Sequence, residues 1–432
     1  MTETKRKKIF YGWVIVAVST LALVVSNGLS IGGIPVFYKF VQNELVASGA
    51  VAPDKIQSVY GLAPALTFLL AGLLAPVAGY LLHKFNAKTM MVIGCFILGG
   101  GLLVYSQATS AAMVYLAHSL LGTSLGFVGV LVCTVLVSNW FTKYRGTALG
   151  IVLTGTSIGG VVIPQISTPL IAAYGWRTAM ISVSLVIWLV LLPGALFLVK
   201  NRPSDINEIP DGGDAQDSAG VSAGANLNAE PAGLTLGQAL RTPVFWIFSV
   251  TAALIFYAIF VVSQQLNLYL QSPQIGFTPA EASRVQSLLF LLSVGGKFAY
   301  GFASDKLPIT RVMIFSAATL FLSTLTFLFF NGQTVYLFAI LFGLNYGGTF
   351  VLLQLLVAEY FGLKEYGKIL GAVTVIETIG GAAGTIITGR LADAYGGDYT
   401  RAFYALIVVT ALSLACVILL NLIYKKSEAE IV

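Results

Sequence analysis

The chain has 432 residues, of which 57% are hydrophobic and only 10% charged, with a net charge of +6 and a mean hydropathy of +0.87. Soluble domains average about 25% charged residues, so a soluble globular protein is excluded. Cys95, Cys133 and Cys416 lie in apolar segments without metal-ligand spacing, which implies neither a disulfide framework nor a bound metal.

Apolar runs of about 20 residues mark membrane-crossing helices. Lys5, Arg6, Lys7 and Lys8 precede a run that continues to Tyr38. That is longer than the roughly 7 to 15 apolar residues of a signal peptide, so it reads as a retained first helix. In chain order the runs predict helices near 10–40, 55–82, 89–107, 111–140, 146–172 and 177–200. A second set follows near 243–271, 282–305, 310–330, 334–361, 367–393 and 401–424. The expected fold class is an all-α membrane protein of twelve transmembrane helices in two six-helix bundles. Its domains are 1–200, a central cytoplasmic loop over 201–240, and 241–432. Residues 201–234 hold six acids among Gly, Ala, Pro, Ser and Asn, too little apolar surface to offset the entropy of ordering.

With the N-terminus inside, 17 of the 24 Lys and Arg fall on the cytoplasmic side, as the positive-inside rule requires. Both termini are therefore expected in the cytoplasm, in a multi-pass protein of the cell's inner membrane. This asymmetry explains the positive net charge without a nucleic-acid partner. The halves also repeat. Tyr115, Leu116, Gly122 and Gly126 recur as Tyr336, Leu337, Gly343 and Gly347, and Thr156-Ser157-Ile158-Gly159-Gly160 aligns with Glu377-Thr378-Ile379-Gly380-Gly381, all at an offset of 221 residues. A shared register over two helices marks an internal duplication.

Four stretches carry a family resemblance: Phe10-Tyr11-Gly12-Trp13, the run from Asn139 to Gly150, Leu240 to Trp246, and Gly296 to Gly301 with Ser304-Asp305. In these the chain resembles the major facilitator superfamily, and within it the oxalate/formate antiporters and bacterial relatives of monocarboxylate transporters. The resemblance implies a carrier working by alternating access. Where the family's loop after the second helix has an Asp, this chain has His83, while the second copy keeps Asp305. A cytoplasmic gate is therefore expected from Asp305 and Arg311, with Lys143, Arg145 and Glu359. The eighth-helix position that is Arg in many relatives is Lys297, and the eleventh-helix Lys of oxalate carriers falls near Val373. One cation suits a monocarboxylate better than a dicarboxylate.

Lys297 and Glu377 stand within apolar runs. A charge near the bilayer centre costs at least about 2.5 to 3.5 kcal/mol, which points to a polar pathway. Lys297 is expected to bind a substrate carboxylate. Glu377 is expected to pair with it and to exchange a proton as substrate binds and leaves. The bland alternative is a salt bridge that pins two helices. Weaker candidates for substrate contact are Asn27, His118, Gln264, Gln265, Tyr300, Asn345 and Tyr346, each also explicable by packing or interhelical hydrogen bonds.

The G-x-S-x-G spacing occurs at Gly28–Gly32, Gly122–Gly126 and Gly155–Gly159, but inside helix-length apolar runs rather than at the strand-to-helix turn a nucleophile elbow needs. With no zinc-protease motif, Walker loop or dinucleotide fingerprint, neither an enzyme nor a cofactor is expected. The expected function is proton-coupled symport of a small monocarboxylate such as lactate, pyruvate or acetate by a functional monomer whose partners are that acid, a proton and the lipid bilayer. Organic-anion exchange and proton-driven efflux of amphipathic or cationic compounds remain as alternatives.

Overall fold

A computed structural model describes residues 10–142, 144–210, 233–329 and 331–429, most of them helical. The basic residues 5–8, Lys143 and the acidic stretch 211–232 lie outside the described residues. Eleven stretches are long and apolar enough to span a membrane, and one of them, Arg145–Leu198, is two spans. They join at Gly175, whose φ of 78° breaks the helix, a conformation open to glycine because it has no Cβ.

The twelve spans are α1 (Gly12–Gly33, prolonged by Pro35–Ala47), α2 (Ile56–Lys84), α3 (Ala87–Ser106) and α4 (Ala111–Trp140). Next come α5 (145–174) and α6 (176–198), then α7 (Pro243–Leu270), α8 (Pro279–Lys306) and α9 (Ile309–Phe329). α10 (Thr334–Phe361), α11 (Tyr366–Ala394) and α12 (Thr400–Ala429) complete the set. Caps fix several starts. Asn86, Ser110 and Thr242 accept the amides of Thr89, Met113 and Phe245, and Thr278 forms a capping box with Glu281 before α8. Each satisfies donors that a helix start leaves open. The first span is longer than the sequence suggested. A π turn at Gly28–Gly33 carries the chain into Pro35–Ala47, with Pro35 at the first helical position, where its missing N–H costs nothing.

Twelve crossings return the chain to the side on which it began. We call that side the termini face and the opposite side the far face. Within the first half α1 packs on α5 and α2 on α4; within the second, α7 packs on α11 and α8 on α10. The pattern follows the internal repeat. The halves meet along two seams, α2 on α11 and α5 on α8. α8 and α11 do not pack on one another, which corrects the expectation that they are neighbours. After the central loop the chain returns to the second half through hydrogen bonds from Leu234 N to Phe361 O (2.8 Å) and from Leu236 N to Glu365 Oε2 (2.7 Å). Lys368 beside Glu365, with the Leu236 amide, holds that carboxyl below the usual carboxylate range.

Candidate functional site

Lys297 lies nine residues before the end of α8 and Glu377 eleven after the start of α11. At 1.5 Å per residue both sit about 14 to 17 Å inside the termini face. Lys297 Nζ reaches across a seam and donates to Leu153 O (2.9 Å), Thr156 Oγ1 (2.6 Å) and Ser157 Oγ (2.9 Å) of α5. The expected Lys297–Glu377 ion pair is not formed: no ion pair or hydrogen bond joins them among the described residues. The cause is the pairing of helices, since α8 belongs to one seam and α11 to the other.

Glu377 is buried on α11, one turn from Gly381, which lies against Phe260 of α7; its neighbour Thr378 packs on Gly72 of α2. It has no hydrogen-bond or ion-pair partner among the described residues. The repeat explains both sites. Glu377 is the counterpart of Thr156, a ligand of Lys297, and the α2 position matching Lys297 in the register of Gly79 with Gly301 is Ala75. Among the described residues, one seam therefore has a cation among neutral oxygens, and the other an acid without a cation.

Level with Glu377 or nearer the far face, aromatic rings cross the middle of the protein. Phe68 of α2 stacks on Phe260 at 3.6 Å between centroids, Phe260 meets Phe256 at 5.4 Å, and Phe256 meets Phe350 of α10 at 5.2 Å. Tyr346 continues the belt at 5.5 Å from Phe350 and 5.3 Å from Phe290 of α8, which lies against Gly160 of α5. The belt thus begins and ends on the first half while its middle belongs to the second.

Every hydrogen bond found between the halves lies level with Lys297 or nearer the far face. Asp393 of α11 accepts the amides of Gln57 (2.9 Å) and Ser58 (2.6 Å), capping α2 from the other half. Gln57 Oε1 accepts from Tyr399 (2.6 Å) and from Gln42 (2.9 Å). Gln264 accepts from Tyr38 (2.8 Å) and donates to Ile31 O (3.0 Å), and Gln286 donates to Gly32 O (2.9 Å). Gly61 and Gly389 bring α2 and α11 into backbone contact. The far face is closed.

On the termini face, Arg145 Nε donates to Ser138 within its own half (2.9 Å), and Asp305, Arg311 and Glu359 are exposed. Among the described residues, the expected gate residues Asp305, Arg311, Arg145 and Glu359 form no hydrogen bond or ion pair across the halves; Lys143 falls outside the described residues. Two clefts of about 320 Å³ open there in the first half, one bearing Arg145 and Asn139, the other Lys84, Asn201 and Arg202, and neither includes Lys297 or Glu377.

The other candidates separate cleanly. Gln264 belongs to the far-face closure, as above. Gln265 donates to Thr385 O (2.8 Å) within the second half. Asn345 Oδ1 accepts from Tyr300 (3.0 Å) and Ser316 (2.8 Å), tying α8, α9 and α10 together inside the second half rather than facing the seams. His118 is fully buried between Tyr38 and Tyr105 with Nδ1 at 2.9 Å from Thr67 Oγ1. Asn27 makes one long contact, to Ser26 Oγ (3.4 Å). Tyr346 stands in the aromatic belt, and its hydroxyl has no partner among the described residues. Thr156, Ser157 and Asp393 were not singled out from sequence, although the repeat had already set Thr156 opposite Glu377.

Asp393 and Gly389 allow a direct test of the closure. Charge-assisted hydrogen bonds contribute about 1.5 to 3 kcal/mol each, so Asp393→Ala is expected to shift the population toward far-face opening by tenfold or more. Gly389→Val should act alike, because a Cβ there meets the carbonyl of Gln57. Spin-label distances across the far-face loops flanking α2 and α11 would lengthen in both variants; unchanged distances would show that this contact does not hold the closure.

A family model described as Major Facilitator Superfamily matches residues 20–385 and 272–430. The MFS transporter asaE of Aspergillus flavus is 29% identical over 78% of this chain and 72% of its own length. Monocarboxylate transporter 13 of Rattus norvegicus is 26% identical over 76% of this chain and 72% of its own. In fold, the chain is similar to the crystal structure of a bacterial homologue of the human lysosomal transporter Spinster in an inward-facing, unoccupied conformation. The TM-score is 0.69 at 15% identity, over 99% of each chain.

Proposed function

The chain belongs to the Major Facilitator Superfamily and is a membrane transporter, and from that premise we propose that it carries a small monocarboxylate together with a proton by alternating access. One observation carries the reading. The Lys297 ammonium is held at mid-depth by three neutral oxygens and, among the described residues, by no anion, so an entering carboxylate would supply the counter-charge. A lysine offers one charge and three donors on a flexible stem, which matches a mono-anion.

In the proposed cycle the termini face is cytoplasmic, as the excess of Lys and Arg there argues, and the conformation described is open inward. The substrate carboxylate takes over Lys297 from Thr156 and Ser157. Glu377 crosses neutral, with its proton, when substrate is aboard. The loaded centre then has no net charge, since ammonium and carboxylate cancel. The empty centre also has none, with Lys297 positive and Glu377 ionised. Movement of a net charge would instead couple to the membrane potential at about 2.3 kcal/mol per 100 mV. Linkage is therefore reciprocal: proton binding favours substrate binding and the reverse, acting through the two seams rather than through direct contact of the pair.

A second reading, proton-driven export of amphipathic compounds recognised through Glu377, is favoured by the aromatic belt. The test is simultaneous recording of proton and labelled lactate flux in proteoliposomes. The proposal expects one proton per lactate and no response to an imposed potential. Counterflow without proton movement would replace it with anion exchange, and proton-driven movement of dyes without lactate flux would replace it with export.

A further inference from the structure

The aromatic belt limits what the acid looks like. Tyr346 and Phe260 keep 8% of their surface open and Phe256 keeps 6%, while Phe350 is half-buried, so the belt is not sealed on every side. Tyr346 extends a hydroxyl without a partner among the described residues from an otherwise apolar ring system, and because that side chain keeps some open surface a ligand oxygen or a water can pair with the hydroxyl. Phe290, against which Tyr346 packs, lies two turns along α8 from Lys297. A two-carbon acid on Lys297 would leave these rings with only one another as partners. An acid with an aryl or branched-alkyl body would lay that body on them, adding ring-to-ring contact to the charge pair.

Resting on Lys297 as the carboxylate contact, we infer that the preferred substrate is a monocarboxylate with an aryl or similarly bulky apolar body, seated against Tyr346 and Phe350. Its carboxylate meets the ammonium, and a hydroxyl or keto oxygen on the neighbouring carbon meets the Tyr346 hydroxyl. A dicarboxylate is rejected, because the second charge would be buried against rings without a cation.

The pair lactate and phenyllactate isolates this claim, since the two share a head group and differ by the phenyl ring. Equilibrium binding to the purified full chain is expected to favour phenyllactate by tenfold or more, the discrimination an apolar pocket gives a substantial hydrophobic increment. Phe350→Leu and Tyr346→Phe keep most of the packing volume; the first should lower the phenyllactate-to-lactate ratio at least threefold, the second should weaken both acids together by loss of the hydroxyl contact. Size-exclusion profiles check folding. Equal binding of the two acids, or preference for lactate, overturns the inference while leaving the carboxylate reading of Lys297 intact. Binding of neither acid overturns both.

Discussion

Lys297→Ala is expected to reduce pH-gradient-driven uptake of labelled monocarboxylate by about a hundredfold or more, to the level of empty vesicles. Removing one partner of a buried, hydrogen-bonded charge pair costs about 2 to 5 kcal/mol or more in binding. In the proposed cycle the substrate carboxylate is the other partner. The loss is expected in binding rather than in fold stability, because the ammonium's partners are three polar oxygens of α5 and Lys297 is not part of the hydrophobic core. Lys297→Arg separates charge from shape. It keeps the cation, but the planar guanidinium has to fit where a compact ammonium reaches Thr156 and Ser157, so affinity should fall less than in the alanine variant. Uptake by Lys297→Ala at the native rate would remove the residue from the site.

Glu377→Gln is expected to retain exchange of internal for external monocarboxylate and to lose acceleration by a pH gradient. Glutamine resembles the protonated acid, so the loaded carrier still reorients. The empty carrier then has the Lys297 ammonium uncompensated, and its return slows and becomes sensitive to membrane potential. Exchange avoids the empty return and is spared. Both halves of the result are measurable in one vesicle preparation, by counterflow at equal pH and by net uptake with a proton gradient. Normal concentrative uptake by Glu377→Gln would exclude it as the coupling group.

Hydropathy alone located twelve helices because a bilayer demands long apolar runs, and the spans agree with expectation to within a few residues at most ends. The differences have local causes. α1 continues to Ala47 because a π turn and Pro35 carry it past Tyr38, and α4 is interrupted at Gly129. Which helix faces which was less legible, since apolar runs are uniform around their circumference when lipid and protein are equally apolar. That is why α8 and α11 were set together in expectation and lie on separate seams in the structure. The repeat contained the needed correction: matching Glu377 to Thr156 places the acid and the lysine's partner at equivalent points of two different seams. Asn345 and Tyr300 read as cavity residues for a similar reason. Sequence shows that a polar atom is buried, but not that its neighbour, 3.0 Å away, already satisfies it.

The claim that an anion replaces the oxygens of Thr156 and Ser157 on Lys297 is tested most directly by equilibrium binding of a labelled monocarboxylate to the purified chain, free of any gradient. Native protein and Glu377→Gln are expected to bind one molecule per chain, and Lys297→Gln to bind none at the same concentrations. Native affinity in Lys297→Gln would contradict the account.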